Sequence, residues 1–450
     1  MKRQLVIAML FMQLLLHGLR LETVAAESPD ETPPSQSVDS DQGEVIVIRG
    51  TKGFVKEVAS KQLAGNQEDS GEIKQLILQL DSDNFQAREE AEESLTKMVA
   101  SSDAAAAQAI KAATQHDSPE IRMRAKRIYN NIPSPVKTFQ HNWIVPSVAF
   151  SRDGKVFATA SRDSRWNAPS PNTTTDNSIR LWDVDSGKLL AKIDGHEHWG
   201  HEIEFSPTAD QFVTASYDRS VKVWDYKRIG TQLDVIEKRK YRMHHDAIYS
   251  VAYSPDGRRI LTGAEDSQAY IVDIPTGKLI RDYAHDGAVY CGAFLDSGNK
   301  FVTGTWKGTV GIWDANSRES LAEWRGHEKG IIEVAVSPNR KTLVTTSFDH
   351  TAIFWDLESK KQIGAIELDH WVFDAVFSVD GRYVATCHGH SPKVFLWDTT
   401  TFEKVGEIFE HSETVSTVAM SPDGIHIATG ANDHTAKIFK LADVLDGLHK

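Results

Sequence analysis

The chain has 450 residues, 40% of them apolar and 25% charged, and a formal net charge of −13. Such a length supports two or three domains with a sizeable core, and the composition excludes a collagen-like or wholly disordered chain. The acidic balance repels phosphate backbones and anionic lipid, so no nucleic-acid partner is expected, and two cysteines, Cys291 and Cys387, are too few for a disulfide scaffold.

At the start, Lys2 and Arg3 precede an apolar run from Leu5 to Leu16, and Val24-Ala25-Ala26 places small residues where a peptidase would cut. Residues 1–26 therefore read as a secretory signal peptide, which predicts export to a periplasm or the extracellular space and no integral membrane domain after cleavage. The run is short of the roughly 20 residues a spanning helix needs, and an uncleaved anchor is the alternative. Cleavage removes Lys2, Arg3, Arg20 and Glu22, net +2, and so lowers the charge to −15. Residues 27–44 carry six acids, no bases and three prolines, a composition that cannot order itself by burial and reads as an acidic disordered linker. Residues 45–68 open on VIVIRG, then lose pattern, and stay unassigned.

Helical signals fill residues 69–132. Asp69 with Glu72, and Asp83 with Gln86, form capping pairs ahead of amphipathic runs, and Ser118-Pro119-Glu120 starts a helix with Ile121, Ala125, Ile128 and Ile132 on one face. With the alanine-rich segment 102–114 this makes four short helices, an arrangement that resembles a HEAT-like pair.

Beyond Pro133 the pattern changes to short strands with an internal repeat. Trp182, Trp224, Val272, Trp313, Trp355, Trp397 and Phe439 follow one another at intervals of 41 to 48 residues, and the five Trp from 182 to 397 that belong to this series are each followed by Asp. A histidine stands 28 residues ahead of five of these positions: His196, His244, His285, His327 and His411. His141 stands 41 ahead because about thirteen residues are inserted, and His370 stands 27 ahead. The cluster GHEHWGHE at 195–202 therefore has one histidine, His196, that the repeat accounts for. His198, His201 and Glu202 remain as conceivable metal ligands, but with His196 committed to the repeat no metal site is expected.

With its Trp-Asp dipeptides, Gly-His pairs at 195 and 326 and SPDG turns at 254 and 421, the chain resembles the WD40 repeat family. The resemblance implies a mainly β fold, a seven-bladed β-propeller over residues 133–441 behind a small all-α module, with 442–450 as a C-terminal tail. Residues 134–140 look like an outer strand with no repeat ahead of them and should complete the seventh blade. The resemblance also implies hydrogen-bonded sets within blades, complete as His196, Ser216, Asp218 and Trp224, and as His327, Ser347, Asp349 and Trp355. The first blade offers His141, Ser161 and Trp182 with Asp163 or Asp176 as its acid. Elsewhere Lys307 and Ser391 replace the acid, Val272 and Phe439 the Trp, and Ala264 and Ala431 the hydroxyl, so those blades should lean on apolar packing, with their histidines open to solvent.

No G-x-S-x-G, P-loop or H-E-x-x-H is present, so no enzyme activity and no cofactor is expected. In the family, the loops carrying the histidine and the acid share one face, the top. Positions the scaffold leaves free there are rich in large rings: Trp166 (within the insertion), Trp199, Tyr217, Tyr249, Tyr290, Trp306, Phe348, Trp371 and Phe373. The expected function is a noncatalytic exported scaffold, its propeller monomeric, that binds a protein or peptide partner through this aromatic face. The alternative is a small-ligand or glycan binder, or an enzyme using the central channel. The basic run Lys238 to Arg242 is expected in a solvated loop.

Overall fold

The computed structural model describes residues 71–100, 104–129, 135–162 and 176–446. The expected signal peptide, the acidic linker, segment 45–68 and the insertion 163–175 with Trp166 lie outside the described residues.

Seven four-stranded antiparallel sheets form the ring. Six of them span residues 144–194, 200–241, 248–284, 289–325, 331–367 and 372–408, each in simple up-and-down order. The seventh is mixed in origin: three strands from residues 415–440 are joined by Lys137–Gln140, which pairs antiparallel with Thr435–Lys440 in the register Lys137↔Ile438 and Phe139↔Ala436. The closing strand expected at 134–140 is thus in place, and it hydrogen-bonds the start of the ring to its end. Phe139 fixes it, nearly fully buried and 5.2 Å and 5.0 Å from the rings of Phe157 and Trp182.

Burial along the strands explains their composition. The second strand of each blade lies between neighbouring sheets, and Gln211–Ser216 is buried at every position. The outermost strand has only its inner face covered, so Gln362–Glu367 is largely exposed. The Gly of the Gly-His pairs is demanded by close approach: a Cβ on Gly195 would sit 2.6 Å from Ile179, and one on Gly326 2.8 Å from Val310.

In the helical segment, α1 (71–79), α2 (Phe85–Ala100), α3 (Ala104–Ala113) and α4 (Pro119–Tyr129) share one apolar core that includes Leu80, Leu95, Ile110 and Ile121. Ser118 caps α4 as expected, its Oγ accepting the Ile121 N–H at 3.3 Å. At α2 the cap is Asn84, whose Oδ1 accepts the Gln86 N–H at 2.9 Å; the expected Asp83 is one residue too early, and Gln86 bonds forward to Glu90. The same core takes in Phe409 from the propeller, and Lys111 pairs with Glu410 at 3.3 Å, so the helices sit against the seam between the sixth and seventh blades. The tail expected at 442–450 instead begins as a helix, α5 (Leu441–Asp446), because Val444 has an apolar seat beside Leu396 and Ile408 in the sixth blade.

Candidate functional site: the top face and the channel beneath it

The histidines are organised by a hydrogen-bond relay. In the second blade the Trp224 indole N–H donates to Thr214 Oγ1 at 3.0 Å, and that hydroxyl meets His196 Nε2 at 2.7 Å. His196 Nδ1 meets Asp218 at 3.0 Å, and Asp218 also accepts the Glu197 backbone N–H. One direction of donation satisfies every member: indole to hydroxyl, hydroxyl to imidazole, imidazole to carboxylate. Burial depresses the basicity of His196 despite its carboxylate neighbour, and hydrogen bonds to His196 and Ser220 hold Asp218 ionised well below the usual carboxylate range.

The hydroxyl in this relay is not the expected one. Thr214 and Thr345, two residues ahead of Ser216 and Ser347, bridge the His and Trp rings, while the serines accept the turn N–H of Asp218 and Asp349. In a strand, residues two apart share a face, so the spacing alone could not separate the two hydroxyls. The same substitution corrects the third and seventh blades. Their Ala264 and Ala431 remove only the serine, and His244 and His411 are buried and bonded to Thr262 and Asp266, and to Thr429 and Asp433. In the third, Tyr270 stacks on His244 at 4.2 Å, in a blade that has Val272 in place of Trp.

In the first blade Asp176 takes the acid position, its Oδ1 accepting the Ser178 N–H at 3.2 Å, with Arg180 between it and His141. Asp163 lies outside the described residues. In the fourth blade, where Lys307 replaces the acid, His285 turns to the Tyr283 carbonyl and keeps its Thr303 contact, and burial pushes its pKa down to about 4. In the sixth, Ser391 performs the turn-capping half of the acid's role, its Oγ accepting the Lys393 N–H, and Trp397 donates to Thr386.

Above these relays eight of the nine predicted aromatic residues come together, Trp166 lying outside the described residues. Ring contacts run from Trp199 to Tyr217 (5.4 Å), Tyr249 (5.5 Å), Tyr290 (4.3 Å, stacked), Trp306 (5.3 Å), Phe348 (5.1 Å), Trp371 (5.7 Å) and Phe373 (6.1 Å). This belt crosses blades two to six without a break. Its members differ in access: Trp306 is 44% exposed, Tyr217, Tyr290, Trp371 and Phe373 are half-buried, and Trp199, Tyr249 and Phe348 are buried beneath their neighbours. The buried three can stiffen the belt but present little surface of their own.

His201 lies inside the belt, 5.7 Å from the Tyr217 ring and 5.4 Å from Tyr249. Burial, reinforced by the Arg162 charge, pushes its pKa down to about 4, so it is neutral near pH 7. His198 Nδ1 faces the Trp199 backbone N–H, and Glu202 accepts the Val251 N–H at 2.7 Å. The three do not converge, and no group of three His, Cys, Asp or Glu residues placed to hold a metal ion occurs among the described residues.

The channel holds residues that sequence reasoning missed. Glu202, Glu204, Glu333 and Asp374 lie on the innermost strands of blades two, five and six. Burial, with repulsion from neighbouring acids, pushes Glu202 and Glu204 up to about 8 and raises Glu333, and burial alone raises Asp374. Each inner strand has one unpaired edge, and the carboxylates reach across to cover it: Glu204 accepts the Tyr253 N–H at 2.5 Å and Asp374 the Val418 N–H at 2.9 Å. A signal was present, since Glu202 and Glu333 each stand six residues past their blade's histidine.

The basic run lies on the strand Gln232–Tyr241 and its end, not in a loop, and its cations are engaged. Lys238 pairs with Asp225, Lys240 and Arg242 with Glu197, and Arg239 donates to the Pro275 carbonyl. Cys291 and Cys387 are free thiols buried in blades four and six. Among the described residues no helix is long and apolar enough to cross a membrane.

Seven blades, the histidine relays and a decorated top define a propeller built of WD40 repeats. Sequence profiles agree: the one described as "IFT122 first beta-propeller" matches residues 172–440, and "WD domain, G-beta repeat" matches residues 133–183. The chain belongs to this WD-repeat β-propeller family. Among curated proteins it is similar to WD repeat-containing protein 37 of Xenopus laevis, 23% identical over 63% of this chain and 58% of that protein. It is also similar to pre-mRNA-processing factor 19 of Oryza sativa subsp. japonica, 25% identical over 59% of this chain and 51% of that protein. Apoptotic protease-activating factor 1 of Rattus norvegicus is 23% identical over 58% of this chain and 20% of that protein. The chain thus spans less than two thirds of each of these relatives.

Proposed function

We propose that the protein is a noncatalytic scaffold that grips a peptide or protein partner on the top face of its propeller. The continuous aromatic belt carries this reading. Trp and Tyr offer large, nearly rigid apolar area with a polar tip and lose little entropy on docking. Here Trp306 stands out of a belt that the buried rings hold in place. The relays commit His196, His244, His327 and His411 and their aspartates to holding the loops, and the belt beside them offers the recognition chemistry. The helical segment, seated beside the same ring, is a second contact.

The test is a crosslinking pull-down from the native host with the full chain and with the double variant Trp306→Ala, Tyr290→Ala. Loss of a partner at an unchanged melting temperature is expected. A variant that keeps every partner of the wild type would refute this reading. We also propose that the chain is exported through its first 26 residues; the intact mass of protein recovered from the host should lack them, and a full-length mass in a cytosolic fraction excludes export by cleavage.

A further inference from the structure

We infer that the top face carries a subsite for a single carboxylate of a bound peptide, formed by Arg162 beneath the near end of the aromatic belt. Arg162 ends the strand Val156–Arg162 at the top of the first blade, next to the second. Its guanidinium carbon lies 4.8 Å from the centroid of the Trp199 ring. Its Nε is buried without a hydrogen-bond partner, and among the described residues no carboxylate pairs with it. Its charge is felt by His198, His201 and Tyr217, and none of these offers a negative charge near pH 7: burial depresses both histidines and raises the tyrosine.

An unpaired guanidinium in such surroundings is costly for folding, because a desolvated cation needs an anion or acceptors. Other arginines of the propeller show the usual solutions: Arg180 has Asp176, Arg228 has Asp183 and Arg242 has Glu197, while Arg259 and Arg281 donate to backbone carbonyls. Arg162 is left for an anion that arrives from outside. Charge balance favours a monoanion. Both nearby histidines are neutral, so one guanidinium neutralises one charge, and a phosphate dianion would leave one negative charge uncompensated. A planar carboxylate also matches the two-pronged guanidinium face. The ligand class is therefore a peptide with an Asp, a Glu or a free C-terminus set against apolar residues that cover the belt.

This inference rests on the top face being the peptide-binding face. The experiment pans random dodecapeptides, displayed with free or amidated C-termini, against the full chain, Arg162→Gln, Arg162→Met and the Trp306→Ala, Tyr290→Ala variant. The expected result is enrichment of one acidic group at a fixed distance from apolar residues, with affinity falling about tenfold or more in Arg162→Gln, the size of a charged hydrogen bond. Phosphorylated versions of the selected peptides should bind no tighter. Arg162→Met should melt no lower than the wild type, which separates a recognition role from a structural one. Belt-dependent peptides with no acidic preference, or an acidic preference that survives Arg162→Gln, or tighter phosphopeptide binding, overturn the carboxylate subsite and leave the scaffold reading standing. A lower melt for Arg162→Met also overturns it. Absence of any belt-dependent peptide overturns both.

Discussion

Replacing Glu204 by Gln should stabilise the propeller at pH 8 and leave it unchanged at pH 5. Burial holds the Glu204 carboxyl up at about 8, against 4.5 for the ordinary side chain. Between those values the folded ring keeps a proton that the unfolded chain has released, so this group's contribution to stability falls as pH rises through the window. At 1.36 kcal/mol per unit the whole window is worth about 5 kcal/mol. The side chain is only partly shielded in the channel, and water there reduces the figure to about 2 kcal/mol. Gln keeps the acceptor for the Tyr253 N–H and never ionises, so the variant should melt roughly 3 to 6 °C higher at pH 8. The wild-type profile alone mixes opposite slopes. His285, held near 4 by burial, loses stability as pH falls from 6.5, since the unfolded chain then takes the proton. The difference between variant and wild type in parallel melts removes that contribution. Equal shifts at both pH values, or a variant weaker at pH 8, would refute the account of a carboxyl kept neutral in the channel.

Thr345→Val should strand the His327 Nε2 and the Trp355 N–H together and cost about 2 to 5 kcal/mol in denaturant unfolding, against about 1 kcal/mol for Ser347→Ala; the reverse order would show that the serine, not the threonine, bridges the rings. Phe139→Ala should cost about 3 to 5 kcal/mol and broaden the unfolding transition, because the strand Lys137–Gln140 that closes the seventh blade loses its anchor; an unchanged melt would mean that the ring does not depend on that closure. Phe409→Ala should raise hydrogen exchange in α1 to α4 while the blade strands keep their protection, and uniform protection would show that the helices hold their place without it.

The ring and its closing strand were legible because a repeat reports the same constraint seven times. The interval between Trp residues sets the size of a blade, and SPVKTFQ reads as an outer strand because no repeat stands ahead of it and no comparable strand follows Phe439. The relay was legible only as far as its histidine and aspartate, which occupy fixed positions at loop ends. Its hydroxyl was misplaced because Thr345 and Ser347 point to the same side of one strand, and only the ring geometry distinguishes them. The belt residues were found by asking which large rings the repeat does not require, yet sequence could not divide Trp306 from Tyr249, since exposure is decided by the neighbouring blade. Arg162 and Glu204 gave no signal of their own: one matters for a missing partner and the other for a strand edge supplied from about fifty residues away.

The seating of Phe409 in the helical core has a consequence for orientation. Wedges this alike offer a visiting molecule several nearly equivalent rotations, each one step around the central axis from the next. The helices mark a single sector, much as a notch marks one tooth of a gear. A partner that touches both that notch and the belt has one way to sit, and the angle at which it leaves the complex is set before any chemistry specific to the partner comes into play.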